Sequence, residues 1–290
     1  MNNNQNGNKT TKKERKRWVV GTAVVATISL MAMGTSALAS SDRDVFKGFF
    51  KGNTEISAGS ATLINQSKVM AGIKTTVEES IIGGNSAIII VSFENEDGTV
   101  FPQDAAIATL ELDWAKDASY MVEQRVTEDG KKIIAMFDVD TPSSLKGKKV
   151  TIQADAVVNS ITGAVIAKGP FHNTFTAQES STSYKIGIDQ TLSHEQEKLS
   201  VQTINFSTIE IGIEGKRLDE HSDQLPEYNP KISISSSDGK ETELYLGSTS
   251  TSDRGFEWHY NLDKEGKKVF LDAAIITSIS IDGHIIPVTK

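Results

Sequence analysis

Asp219, Glu220, His221 and Asp223 form the densest group of oxygen and nitrogen donors in the sequence, and a hard cation would find ligands there if the segment folded back. The segment lacks the glycine and alternating donor order of a calcium loop. Its simpler reading is a polar exposed loop that meets a partner and holds no metal. Asp138 and Asp140, two apart on a strand, share one face, and a glycosidase needs two carboxyl groups facing one cleft. Many unrelated pairs meet that condition. His194-Glu195 opens the string HEQEK, but a zinc-protease helix needs a second histidine four residues on, and position 198 is Lys. Phe256, Trp258 and Tyr260 alternate with Glu257 and His259, so three aromatic rings share one strand face. They form either a stacking platform for a ligand such as a sugar or, more simply, the interior of a sandwich.

Other chemistries lack their usual anchors. There is no G-x-S-x-G nucleophile elbow and no glycine-rich phosphate loop. The absence of cysteine removes disulfides, thiolate metal sites and a cysteine nucleophile. The net charge is −8, yet the first 39 residues carry six basic side chains against Glu14, a local +5 that leaves −13 on the rest. An acidic body argues against nucleic acid, whose phosphates demand clustered Lys and Arg. No catalytic residue, cofactor or metal is expected, and the chain is not expected to be an enzyme.

The elements that must position these residues read as strands. From Ser60 onward the dominant period is two: Ile73, Thr75 and Val77 alternate with polar neighbours, and Gly83-Gly84-Asn85 offers a turn. Ala87 to Phe93, AIIIVSF, is almost continuously apolar, as in a strand covered on both faces. Asp97-Gly98, Asp129-Gly130, Asp238-Gly239 and Asp282-Gly283 punctuate β-rich runs as turns. Between them, strands are expected at 106–112, 120–126, 133–139, 150–158 and 171–177. The polar stretch QESSTS at 178–183 reads as a linker, and a second series begins at Tyr184. It runs through 199–206, 209–213, 232–234, 244–246, 256–260, Val269 with Leu271, and 275–281, with a long polar loop at 215–230. Such short strands predict an all-β protein of two tandem β-sandwich domains, 60–177 and 184–290.

Ahead of them stands a different kind of segment. Residues 1–17 are polar and end in KKERKR, and the 24 residues Trp18 to Ser41 carry no charge. A helix of that length crosses a hydrocarbon core of roughly 30 Å, with the basic flank left in the cytoplasm. Ala37-Leu38-Ala39 also has the small-x-small form of a signal-peptidase site. The segment is therefore either a single-pass anchor or a signal cleaved after Ala39, and both fates export the body. Residues 42–59 begin with DRDVFKGFFK, an amphipathic helical pattern suited to the membrane interface or to the face of the first domain.

The stretch NQSKVMAGIKTTVEESIIGGNSAIIIVSFENEDGTVF, Asn65 to Phe101, resembles the core of the domain of unknown function 4179, found in membrane-anchored proteins of Gram-positive bacteria. KGPFHNTFTA at 168–177 is similar to its closing strand, and LSVQTINFSTIEIGIEG at 199–215 to the immunoglobulin-like domain that often follows. The resemblance implies two tandem immunoglobulin-like β-sandwich domains after one N-terminal hydrophobic helix, with no catalytic motif. Some relatives look like sigma-factor regulators with a cytoplasmic domain. Here only 17 residues precede Trp18, which shifts the expected role to the outer face. That role is an extracytoplasmic binding, sensing or regulatory module at the cell envelope, meeting an envelope protein or glycan through the loop containing Asp219, Glu220, His221 and Asp223. A hydrolase built on a carboxylate pair and a structural spacer are the alternatives.

Overall fold

The computed structural model describes residues 61–114, 119–141, 144–179, 183–219, 224–252 and 255–289. The basic tail, the hydrophobic segment at 18–41 and the segment at 42–59 lie outside them. Among the described residues no helix is long and apolar enough to cross a membrane. The fold is all-β and its strands pair antiparallel, with one 3-10 turn at Ala273–Ile275.

The first half contains β1 (Thr62–Met70), β2 (Ile73–Gly83), β3 (Ser86–Asn95), β4 (Ala105–Ala108), β5 (Glu111–Asp113), β6 (Ser119–Val126), β7 (Lys132–Asp140), β8 (Lys149–Asn159) and β9 (Val165–Thr176). One sheet runs β1-β2-β3-β7-β6, and in the second β8 pairs with β4, β5 and β9. Ala87, Ile89, Val91 and Phe93 of β3 meet Val150, Ile152, Phe171 and Phe175 of the second sheet in one core. The alternate side chains of β3, Ile88 and Ile90, join a separate apolar cluster with Ile81, Ile134, Met136 and Ile209, the last from the other half of the chain. Both faces of β3 are thus covered, which is why its sequence does not alternate. The single strand expected at 106–112 breaks into β4 and β5 at Thr109, whose φ of 49° is left-handed.

The second half contains β10 (Tyr184–His194), β11 (Glu197–Phe206), β12 (Ile211–Arg217), β13 (Ile232–Ser236), β14 (Glu241–Ser252), β15 (Gly255–Leu262), β16 (Ile276–Ile281) and β17 (His284–Pro287). They form one sheet in the order β10-β11-β12-β15-β14-β13-β16-β17. The twelve-residue β14 joins its two arms, pairing with β13 through Leu244 and with β15 from Tyr245 onward. Its register shifts across Tyr245 to Ser248, around Gly247, and side chains from both arms share one core. Val269 and Leu271, expected on a strand, lie on a connection: Lys268 makes an isolated bridge to Leu262, and the Leu271 amide donates to the Thr208 carbonyl.

The aspartate-glycine pairs do close turns. Gly98, Gly130, Gly239 and Gly283 all have positive φ, and Asp97, Asp129 and Asp238 accept backbone bonds from the residue two ahead. At the junction of the halves, a Cβ built on Gly83 would stand 2.2 Å from the Cβ of Ser207. Only glycine allows β2 to approach the β11–β12 turn so closely.

Two substitutions test this packing. Ile279 is fully buried between β13 and β17, so Ile279→Asp should unfold the second half, a loss of several kcal/mol or more, visible as a lost or sharply lowered thermal transition. Gly83→Ala should cost about 1–3 kcal/mol through overpacking, whereas Gly187→Ala, with nothing within 4 Å of the added methyl, should be near neutral in the same melts.

Candidate functional site

The period of two gives β15 two faces with different fates. Phe256, Trp258 and Tyr260 point into the core of the second half and are buried there, so the aromatic row is interior rather than a platform. Glu257, His259 and Asn261 take the opposite face, which polar residues ordinarily take because it is wet. Here that face meets the first half: His259 is 3% exposed and Asn261 6%.

The turn between β11 and β12 supplies the second component. The Ser207 hydroxyl accepts from the Ile209 and Glu210 amides, and the Ser207 amide donates to the Glu210 carbonyl at 3.0 Å. This ST-type turn places Ile209 in the apolar cluster on the outer face of β2, β3 and β7, and Glu210 beside it at 1% exposure. From the first half come Asn85 and Ser86, at the β2–β3 turn that the left-handed Gly84 closes, and Asp138 and Asp140 at the end of β7.

These groups converge on one buried polar cluster. The His259 Nδ1 lies 2.9 Å from Glu210 Oε2, and the Ser86 hydroxyl contacts that same oxygen. Ser86 Oγ also lies 2.7 Å from Asp140 Oδ1, while Ser248 Oγ reaches Asp140 Oδ2 at 3.4 Å. On the other side of the imidazole, Glu257 Oε2 accepts from Asn85 Nδ2 at 2.7 Å and faces His259 Nε2 at 3.9 Å. Asp138, the other member of the carboxylate pair, is held by Lys268. Asp138 and Asp140 thus do share a face, and that face is spent on contacts between the halves.

The charges do not balance within the cluster. Asp140, Glu210 and Glu257 bring three carboxyl groups against one imidazole, and among the described residues no Lys or Arg pairs with any of the three. Burial by itself would lower the His259 pKa, but the hydrogen bond and charge of Glu210, helped by Glu257 and Asp140, outweigh it and raise the pKa to about 9. Burial also raises the Glu257 carboxyl above its ordinary value, and the Glu210 charge adds to that effect. One ligand atom each from Asp140, Glu210 and His259 lie within 4.8 Å of one another, a donor set able to hold a metal ion.

Of the loop expected to meet a partner, Asp219 is described and Glu220, His221 and Asp223 lie outside the described residues. Asp219 receives Nε of Arg217 at 3.0 and 3.1 Å and Nη2 at 2.9 Å, a two-pronged pair at the base of the loop. Arg217 also pairs with Glu197, whose carboxylate caps the amides of Glu227 and Tyr228, and donates to the Leu225 carbonyl. The loop is clipped at both ends by one buried guanidinium. His194 sits at the tip of the β10–β11 hairpin, stacked on Tyr228 with ring centroids 4.2 Å apart, and Lys198 lies on β11. Sequence reasoning missed Ser86, Glu210 and His259 as a group because no spacing links them. The available signal was the polar face of FEWHYN, with a histidine and a glutamate on a strand whose other face is aromatic.

No family model matches the chain, and no curated protein matches it. Among solved structures, a chain described as the conserved domain protein from Bacillus anthracis aligns with a TM-score of 0.54 at 15% identity, covering 81% of this chain and 82% of that one. The likeness concerns the fold, and its extent is too great to be confined to either half.

A proton on His259 contributes to stability with a definite sign. The folded pKa lies above the ordinary 6.5, so the contribution is whole below pH 6.5 and is lost as pH rises through about 9. In chelating buffer, thermal melts from pH 6 to 10, read against His259→Gln, should show the wild-type chain losing on the order of 3 kcal/mol more than the variant. Equal pH dependence in the two proteins would contradict the assignment.

Proposed function

We propose that this chain is a non-enzymatic binding or sensing module displayed at the outer face of a Gram-positive cell envelope, related to the domain of unknown function 4179. In this reading 18–41 is a membrane-spanning or signal helix. The two halves, 60–177 and 184–290, are immunoglobulin-like domains joined at 178–183. The partner is an envelope protein or glycan, met by the loop bearing Asp219, Glu220, His221 and Asp223. Loops on a rigid β scaffold are the usual carriers of recognition, and Arg217 anchors the base of this one.

The observation that favours binding over hydrolysis is the position of Asp138 and Asp140. Lys268 pairs with the first, and Ser86 and Ser248 contact the second, so both carboxyl groups of the pair are engaged by side chains and not presented together to a substrate.

The test is made on intact cells producing the full-length chain with a photo-crosslinking residue in place of His221. The expected result is a discrete crosslink to an envelope protein or glycan, lost when Glu220 and Asp223 are both changed to Ala, together with digestion of the body by external protease. Protection from that protease, with none of the chain in the medium, would overturn the outward placement. Crosslinks unaffected by the double substitution would overturn the loop assignment.

A further inference from the structure

The cluster between the halves has too few protons for its contacts. Ser86 Oγ touches Glu210 Oε2 and Asp140 Oδ1, yet a hydroxyl carries one proton and satisfies one of these oxygens. His259 Nδ1 supplies a single further donor to Glu210. Glu210 and His259 are almost wholly buried and Asp140 half-buried, so a carboxyl oxygen left there without a donor is costly unless something positive enters.

The donor set is suited to such an entrant. Asp140, Glu210 and His259, each offering one donor atom, come from β7, the β11–β12 turn and β15, and each is held by backbone pairing or by the Ser207 turn. The opposite ring nitrogen, Nε2, faces the Glu257 carboxylate at 3.9 Å, and that carboxylate is itself oriented by Asn85. At that distance the Glu257 carboxylate acts on the ring by its charge and not by a hydrogen bond, from the side where metal sites commonly place an orienting carboxylate. Two carboxylate oxygens and one imidazole nitrogen suit a divalent ion such as zinc, which is borderline, or manganese, which favours oxygen donors.

We infer that Asp140, Glu210 and His259 bind one divalent transition-metal cation, which clamps the two halves together. Asp140 belongs to the first half, and Glu210 and His259 to the second. Ser86 keeps its single proton for one carboxylate and offers a lone pair toward the ion. This site does not depend on the envelope reading and stands or falls on the purified chain.

The experiment uses the full-length chain purified in detergent, stripped with chelator and titrated calorimetrically with zinc and then with manganese. One cation per chain and a raised thermal midpoint are expected. Glu210→Gln and His259→Gln should weaken binding by more than about tenfold, while Glu123→Gln, exposed on β6, should leave it unchanged. Absence of binding by both ions, or variants that bind as the wild type does, would overturn the site. Should the variants fail to fold, manganese added to the ¹⁵N-labelled wild-type chain gives an independent answer. Its paramagnetic broadening should fall first on the amides of Ser86, Asp140, Glu210 and His259, and broadening centred elsewhere would refute the proposal.

Discussion

A carboxylate removed from water requires a proton, a donor or a cation, and that requirement governs how the two halves of this chain meet. Glu210 and His259 are almost wholly buried, and their partners lie on both sides of the junction. The junction is accordingly a single combined surface, with an apolar patch around Ile88, Ile90, Ile134 and Ile209 beside a polar cluster around Glu210. Apolar burial supplies the attraction, and the polar cluster restricts it to one register, because a shifted pairing would leave carboxylates buried without donors.

The same constraint explains local features that have no meaning within either half alone. Gly83 is needed because the β11–β12 turn presses on the end of β2. Ser207 organises that turn so that Ile209 and Glu210 present an apolar side chain and a carboxyl group to adjacent parts of the neighbouring sheet. Lys268, on the connection after β15, crosses to Asp138 and removes one carboxylate from the pair that sequence inspection would connect with hydrolysis. The described residues accordingly belong to one compact unit although each half has a core of its own.

Arg217 shows the same logic at the surface end of the second half. Its guanidinium gathers Asp219, Glu197 and the Leu225 carbonyl, and Glu197 in turn caps two loop amides. A cluster that reads as loose donors in sequence is, at Asp219, a closed ion pair that shapes the loop.

Much of this was legible in the sequence. Alternation located most strands, aspartate-glycine pairs located the turns, and the unbroken run AIIIVSF marked a strand covered twice. Those signals are local: turn chemistry and the two-residue pleat act over a few positions. The break at Thr109, the short strand His284–Pro287 and the irregular path through Val269 and Leu271 were not legible, because pairing partners far along the chain decide them. The polar cluster was hidden for a related reason. The pleat of β15 separates Glu257 and His259 from Phe256, Trp258 and Tyr260, but it does not say what covers the polar face. Only the packing of β2, β3 and β7 against β15 and the β11–β12 turn brings Ser86 and Asp140 to Glu210 and His259, since a strand's sequence dictates which side a residue takes and the tertiary structure dictates its neighbours.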